Sequence, residues 1–250
     1  MKILELNSIT KSFGGVKAVD NATLSFTKGK ITSLIGPNGA GKSTIFHLVT
    51  GFLKIDSGSI LYKGETINNL QSWQIAKRGI GRLFQDIRVF NKLTCFENVL
   101  IALSNDHEES PYSFVTRFNN HRPSNVLKNE AKKWLDFVGL QDKESHFAES
   151  LSFGQQKLLA IARLMAGGFD VILLDEPTAG VNPVMIKEIL SVIQKLADEG
   201  KTPIIIEHNM NVVLEISDWV WFMDEGKIVS FGLPEDVLGN QSVKEAYIGL

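Results

Sequence analysis

The chain carries a single cysteine, Cys95, among its 250 residues. An internal disulfide needs two cysteines and a thiolate metal cluster needs several, so both are excluded, and the composition suits a reducing cytosol. Charge of either sign is in short supply as an excess: 26 basic against 28 acidic residues leave a formal net charge of −2. The basic footprint usual in nucleic-acid binders is therefore missing, and no nucleic-acid partner is expected. No apolar run approaches the roughly 20 residues that cross a bilayer. The opening Met1-Lys2-Ile3-Leu4-Glu5 meets an acidic residue too early for a secretory signal. The expectation is a protein soluble by itself, whose membrane role, if it has one, comes through a partner. Internal repeats, linkers and low-complexity tracts are absent too, so the length allows one large α/β domain or a domain with a subdomain.

What is present centres on Gly36-Pro37-Asn38-Gly39-Ala40-Gly41-Lys42-Ser43-Thr44, which fits G-x-x-x-x-G-K-[ST]. Lys30 to Ile35 before it reads as a buried strand and Ser43 to Leu48 after it as a helix, the context a phosphate loop requires. Its three glycines let backbone N–H groups turn inward, where they and the positive end of the helix dipole bind phosphate oxygens. Lys42 would hold the β and γ phosphates of a nucleotide, and the Ser43 hydroxyl would face a magnesium ion bridging them.

Along the chain, residues 3–6 and 8–13 alternate like strands, and Leu24 to Ile31 around Lys28-Gly29 reads as a hairpin leading into the loop. A second hairpin is expected over Gly58 to Ile67, and Gly79 to Phe84 reads as a strand ending at Gln85. Helical patterns follow at Cys95–Leu103 and Val126–Val138, the latter with Leu127, Ala131, Trp134, Leu135 and Val138 on one face. The polar segment from 105 to 125 between them has no clear period. Ser152 reads as the N-cap of a helix with Leu158, Ile161, Ala162 and Met165 in a stripe, stopped by Gly167-Gly168. Val171 to Glu176 is a continuous apolar run closing on two carboxylates, as in a parallel strand buried on both faces. Asn182-Pro183 starts another helix, Thr202 to Glu207 is a further buried strand followed by His208, and Trp219 to Phe231 folds back at Asp224-Glu225-Gly226.

Several residues then acquire chemical readings. Asp175, at a strand end beside a phosphate loop, can reach the magnesium, and Glu176 can orient water on the γ-phosphate; without the loop the pair would be two solvated strand-end acids. His208 either contacts the γ-phosphate or is a structural histidine. Gln85 can reach magnesium or position water. Phe13 either stacks on an adenine ring or belongs to the core or sheet edge.

Leu151-Ser152-Phe153-Gly154-Gln155-Gln156 resembles the LSGGQ signature of ATP-binding cassette transporters, in family order between the phosphate loop and Asp175-Glu176. Nearly the whole chain is similar to the ATP-binding subunit of such a transporter. The resemblance implies an α/β P-loop NTPase (RecA-like) core with an amino-terminal antiparallel β subdomain and an inserted helical subdomain. The core and β subdomain would take 1–85 and 151–232; the helical subdomain would take 86–150, its signature helix continuing to 167; a helical tail would take 233–250. It implies ATP and Mg2+ as cofactors, Phe13 as the adenine-stacking aromatic, and Gln85 as the glutamine linking magnesium to the transporter interface. Asp175 would support the metal, with Glu176 the catalytic base and His208 the switch histidine.

Ser152, Gly154 and Gln155 would serve the ATP held by the loop of a second subunit, docked head to tail, so hydrolysis would require a dimer. Ala179-Gly180-Val181-Asn182 sits where the family has its inter-subunit loop. Two residues depart from the pattern: Phe153 replaces the first signature glycine, and Asn182 stands where many members have aspartate.

Gly79 to Phe90, Ala179 to Pro183, Glu207-His208-Asn209-Met210 and Ala246 to Leu250 look like the ATPases of branched-chain amino acid and urea importers. Those pair two ATPases beneath two membrane permeases, at the cytoplasmic face of the membrane, with a periplasmic binding protein delivering the solute. The groove receiving a permease helix would include Gln85, Val89, Phe90 and Leu93. Related ATPases that extract lipopolysaccharide share the Ala179-Gly180 stretch and are the alternative. An assembly factor acting on DNA or the ribosome is a further class, but it typically brings a second cassette or a basic surface. A small-molecule kinase leaves the signature helix unexplained.

Overall fold

The computed structural model describes residues 1–103 and 124–248. Within these the chain forms two compact units, one of residues 1–85, 169–179 and 187–248, the other of 86–103, 124–168 and 180–186.

The first unit holds two sheets. Strands β1 (Lys2–Phe13), β2 (Val16–Thr27), β4 (Ser57–Tyr62) and β5 (Glu65–Thr66) form an antiparallel sheet in the order β2-β1-β4-β5. The long β1–β2 ribbon slips register between Leu6 and Ile9 and between Ile9 and Lys11. Ser8 and Asn21, at those slips, take left-handed φ of 49° and 52°. The second sheet has the order β10-β9-β3-β8-β7-β6. It comprises β3 (Thr32–Ile35), β6 (Ile80–Leu83), β7 (Val171–Asp175), β8 (Thr202–Ile206), β9 (Trp219–Asp224) and the antiparallel edge strand β10 (Lys227–Gly232). Every residue of β3, β7 and β8 is buried, which is why these strands read as unbroken apolar runs.

Alternation along the strands divides their side chains between two cores. Leu34, Leu173, Ile204, Ile206, Trp221 and Met223 join Ile45 and Phe46 of helix α1 (Lys42–Val49) and the inner face of the antiparallel sheet. On the opposite face Ile35, Val220 and Phe222 meet Val213 of α7 (Met210–Ile216), Val237 of α8 (Pro234–Gly239) and Val243 of α9 (Gln241–Ile248). One expected pairing is corrected here. The run around Lys28-Gly29 is no hairpin, because β2 pairs with β1 whereas β3 runs parallel to β8 and β9 in the other sheet. The hairpins at β4–β5 and β9–β10 form as expected. Helix α2 (Ser72–Arg78) leads into β6 through Gly79, whose φ is 111°.

The second unit is helical. Helix α3 (Cys95–Leu103), α4 (Asn125–Phe137) and α5 (Phe153–Ala166) pack on one another. Thr94 and Glu97 form a reciprocal cap at the start of α3, Thr94 N–H donating to Glu97 Oε2 at 2.8 Å and Glu97 N–H to Thr94 Oγ1 at 3.2 Å. Asn98 is fully buried, accepts from the Phe90 N–H at 2.9 Å and donates to the carbonyls of Phe90 and Thr94 at 3.0 Å, so one amide fixes the turn from 90 to 94. Of the stripe expected on α4, Ala131, Leu135 and the C-cap Val138 are buried whereas Leu127 and Trp134 are half-buried, and on α5 Leu158, Ile161, Ala162 and Met165 are all buried. The polar segment from 105 to 125 lies almost wholly outside the described residues. Helix α6 (Pro183–Asp198) begins in this unit, its entry capped by Asn182 Oδ1, which accepts from Met185 N–H at 3.0 Å.

Candidate active site

The strand order sets the site. In space β3, β8, β7 and β6 are consecutive and parallel, so their carboxyl ends open on one edge, where α/β sheets bind ligands. From those four ends emerge the loop Gly36–Gly41, Glu207-His208, Asp175-Glu176 and Gln85.

In the loop, Gly36 has φ +150° and a Cβ there would lie 1.9 Å from the Met223 carbonyl oxygen; one on Gly41, φ +103°, would lie 2.2 Å from that of Ala18. Only glycine lets the loop lie this tight against its neighbours. Lys42, almost fully buried, donates through Nζ to the carbonyls of Gly36 and Pro37, each at 2.8 Å. Burial pulls its ammonium pKa down from the usual lysine value, while the carboxylates of Glu176 and Asp175 act the other way. Asn38, Gly39 and Ser43 are exposed, Thr44 partly so, and Ala40 is buried.

Glu176 directly follows β7 with a left-handed φ of 49°, a conformation costing a non-glycine residue about 1–2 kcal/mol. Its N–H donates to the Ile206 carbonyl at 3.0 Å and its carbonyl accepts from Ala179 N–H at 3.2 Å, so the turn is held at both ends. Both carboxylate oxygens are engaged. His208 Nε2 lies 3.0 Å from Oε1, and Gln85 Nε2 donates to Oε2 at 3.2 Å. Asp175, the last residue of β7, is only 7 % exposed in its side chain and pairs with Arg82 Nη2 at 2.6 Å. Arg82 Nη1 lies 3.4 Å from His47 Nδ1. Desolvation and the adjacent guanidinium lower the His47 pKa, with Asp175 opposing them, which favours a neutral ring whose Nδ1 accepts.

Glu207 is buried, with no cation among its hydrogen-bond partners in the described residues. Its Oε1 accepts from the Thr178 hydroxyl at 2.6 Å and the Thr178 N–H at 3.1 Å, and its Oε2 accepts from His208 N–H at 3.1 Å. One side chain thus ties the segment after Glu176 to the one bearing His208.

Phe13 ends β1, 45 % exposed, with the Lys11 ammonium 5.5 Å from its ring centre, so it is a surface residue rather than a core one. In the helical unit Ser152 caps α5: its Oγ accepts from Gln155 N–H at 3.3 Å, and Gln155 Oε1 accepts from Ser152 N–H at 3.1 Å. A Cβ on Gly154 would sit 2.2 Å from Met185 Cγ and 3.1 Å from Val181 Cγ1, so this glycine permits close packing against the start of α6. Phe153 is 48 % exposed, and its ring lies where a Cβ on Gly180 would be 3.3 Å away.

Lys42, Gln85, Asp175, Glu176 and His208 therefore share one unit with the loop, while Ser152, Gly154 and Gln155 belong to the other. Sequence reasoning passed over Arg82, His47 and Glu207. The signal available for two of them was a charge embedded in, or directly ending, an otherwise apolar strand.

The ABC transporter family model matches residues 19–179, more than half of the chain. The branched-chain amino acid transport ATP-binding protein LivG of Escherichia coli is 36% identical over 249 residues, covering 99% of this chain and 98% of LivG. The lipopolysaccharide export ATP-binding protein LptB of Haemophilus influenzae is 32% identical over 249 residues, covering 100% and 98%. Among solved structures, an ATP-binding cassette of an ABC transporter in its ADP conformation superposes with a TM-score of 0.87 at 34% identity, covering 100% of both chains. A dimeric cassette bound to ADP and Pi gives 0.76 at 25% identity, covering 93% of this chain and 99% of that one. Taken with the loop, the strand-end carboxylates and the helix capped by Ser152, these likenesses are decisive: the chain belongs to the ABC transporter family and is one of its ATPases.

Proposed function

We propose that this ATPase drives an importer of a small polar solute such as a branched-chain amino acid or urea. The observation that carries its chemistry is the Glu176 carboxylate, held between His208 and Gln85 beside the phosphate loop. In this reading Gly36 to Thr44 cradle the phosphates, Lys42 turns its ammonium from the loop carbonyls to the nucleotide, and Phe13 stacks on adenine. Glu176 acts as base toward water, and His208 orients that carboxylate and senses the γ-phosphate.

A magnesium ion fits the donors available. Ser43, Gln85 and Asp175 offer oxygen atoms, as magnesium prefers. Among the described residues no group of three or more acidic, histidine or cysteine side chains forms a cage, which suits a cation that arrives with the nucleotide's own phosphate oxygens. Bound there, it would neutralise charge on the β and γ phosphates.

The compact units read as a nucleotide-binding core and a helical signature subdomain. Ser152, Gly154 and Gln155 would complete the site of a second ATPase subunit, either another copy or a paralogue. Transmembrane permeases would be the direct partners, and a solute-binding protein an indirect one. Among the described residues no helix is long and apolar enough to cross a membrane, so the chain would sit peripherally on the cytoplasmic face through those permeases.

The similarity to LptB supports a second reading, a lipopolysaccharide export ATPase. Purification of the tagged chain from membranes separates them. Two permeases and a sister ATPase, with turnover stimulated by a solute-loaded binding protein, are expected. Stimulation by lipopolysaccharide instead overturns import, and turnover by a strictly monomeric chain with Ser152 and Gly154 altered overturns the dimer.

A further inference from the structure

Arg82 is a full charge in the middle of a strand whose other members are Ile80, Gly81 and Leu83. It pairs in register with Leu173, two residues before Asp175, so alternation puts Arg82 and Asp175 on the sheet face covered by α1. The guanidinium is fixed on every side. It bonds Asp175 Oδ2 at 2.6 Å and lies 3.4 Å from His47 Nδ1, and its carbon is 4.8 Å from the Phe84 ring centre and 5.5 Å from that of Phe46. Its side chain is 5 % exposed, and its buried Nε finds no hydrogen-bond partner among the described residues. Buried ion pairs of this kind scarcely repay their desolvation, and an unpaired donor adds to the cost. Stability alone is a poor reason for such a group, whereas a requirement on Asp175 is a good one.

We propose that Arg82 is a positioning residue for the magnesium–nucleotide complex: by taking Asp175 Oδ2 between two aromatic rings and His47, it holds the metal-supporting carboxylate in one orientation and leaves Oδ1 to the cation. This deepens the role proposed for Asp175 and rests on it. Partners that orient metal-supporting groups typically affect metal affinity by about 10- to 100-fold when lost.

The test uses Mn2+ in place of magnesium, with free Mn2+ read by electron paramagnetic resonance in the presence of a non-hydrolysable ATP analogue. Arg82→Gln is expected to weaken nucleotide-dependent Mn2+ binding by about 10-fold or more, while affinity for the metal-free analogue stays within about twofold. Arg82→Lys, which keeps the charge but not the planar fork, is expected to shift it in the same sense by less, and it serves if the glutamine variant does not fold. In an Asp175→Asn background, Arg82→Lys is expected to have no further effect on Mn2+. Unchanged Mn2+ affinity in Arg82→Lys and Arg82→Gln with only a lower melting temperature makes the arginine merely structural and overturns the proposal. Tighter Mn2+ binding overturns it as well, since the guanidinium then competes with the metal. If Asp175→Asn alone leaves Mn2+ affinity unchanged, the metal role of Asp175 falls first, and the role of Arg82 with it.

Discussion

Glu176 Oε1 and His208 Nε2 stand 3.0 Å apart, joined across two neighbouring strand ends. Loss of the carboxylate in Glu176→Gln keeps the shape and a hydrogen bond to His208 but removes the proposed base. Turnover should fall by about 10²- to 10⁴-fold, and binding of a fluorescent ATP analogue should change by less than about threefold. Steady-state ATPase assays alongside equilibrium titration check both halves, and retained turnover would remove Glu176 as base.

The loop glycines are not equivalent. A Cβ on Gly36 or Gly41 would run into the carbonyls of Met223 or Ala18, whereas one on Gly39 meets nothing within 4 Å and faces only its φ of +83°. Gly39→Ala should cost about 1–2 kcal/mol from backbone strain alone. Gly36→Ala and Gly41→Ala should cost more and displace Lys42, with nucleotide affinity falling at least tenfold further, on the order of 1.4 kcal/mol or more. Chemical denaturation and nucleotide titration of the three variants would reveal the ranking.

At Gly154 the backbone is helical and alanine is intrinsically favoured there by about 0.5–1 kcal/mol. The 2.2 Å approach to Met185 Cγ reverses that sign. Gly154→Ala alone should destabilise by about 1–3 kcal/mol, and much less when combined with Met185→Ala. A double-mutant cycle of unfolding free energies supplies the coupling, and additive effects would contradict the packing account.

Asp170 accepts from Lys63 at 2.6 Å and lies 3.4 Å from Lys201. Burial would raise its pKa, yet the hydrogen bond and charge of Lys63 and the charge of Lys201 bring it below the usual 3.8. With the folded value depressed, the stabilisation is fully present above 3.8 and lost as pH falls through the lower folded value. The side chain is 37 % exposed, so solvent screening limits the pairs together to about 1 kcal/mol. Asp170→Asn should be less stable by that amount near about pH 7, and the gap should close below about pH 4. Thermal unfolding across that range would detect it, and a gap unchanged at low pH would refute the assignment.

Legibility in the sequence followed the range of the interactions. The tight glycine turn before α1, the buried β7 and β8 runs and the Ser152 cap are local, since each depends on a few consecutive residues, and all were readable. The pairing of β2 was not, because Lys28-Gly29 between two apolar runs has the look of a hairpin whichever sheet the next strand joins. Arg82 and Glu207 were missed for a related reason. What distinguishes them is a partner distant in sequence, Asp175 for one and Thr178 for the other, and strand order alone brings those together.

Cys95 is fully enclosed at the start of α3, and burial pushes its thiol pKa upward, away from the reactive thiolate. A maleimide or spin label would therefore pass over the native chain. A cysteine introduced at an exposed position such as Val126 or Val184 becomes a selective reporter without removal of the native one, and distances within the proposed pair of subunits can be followed as nucleotide is added.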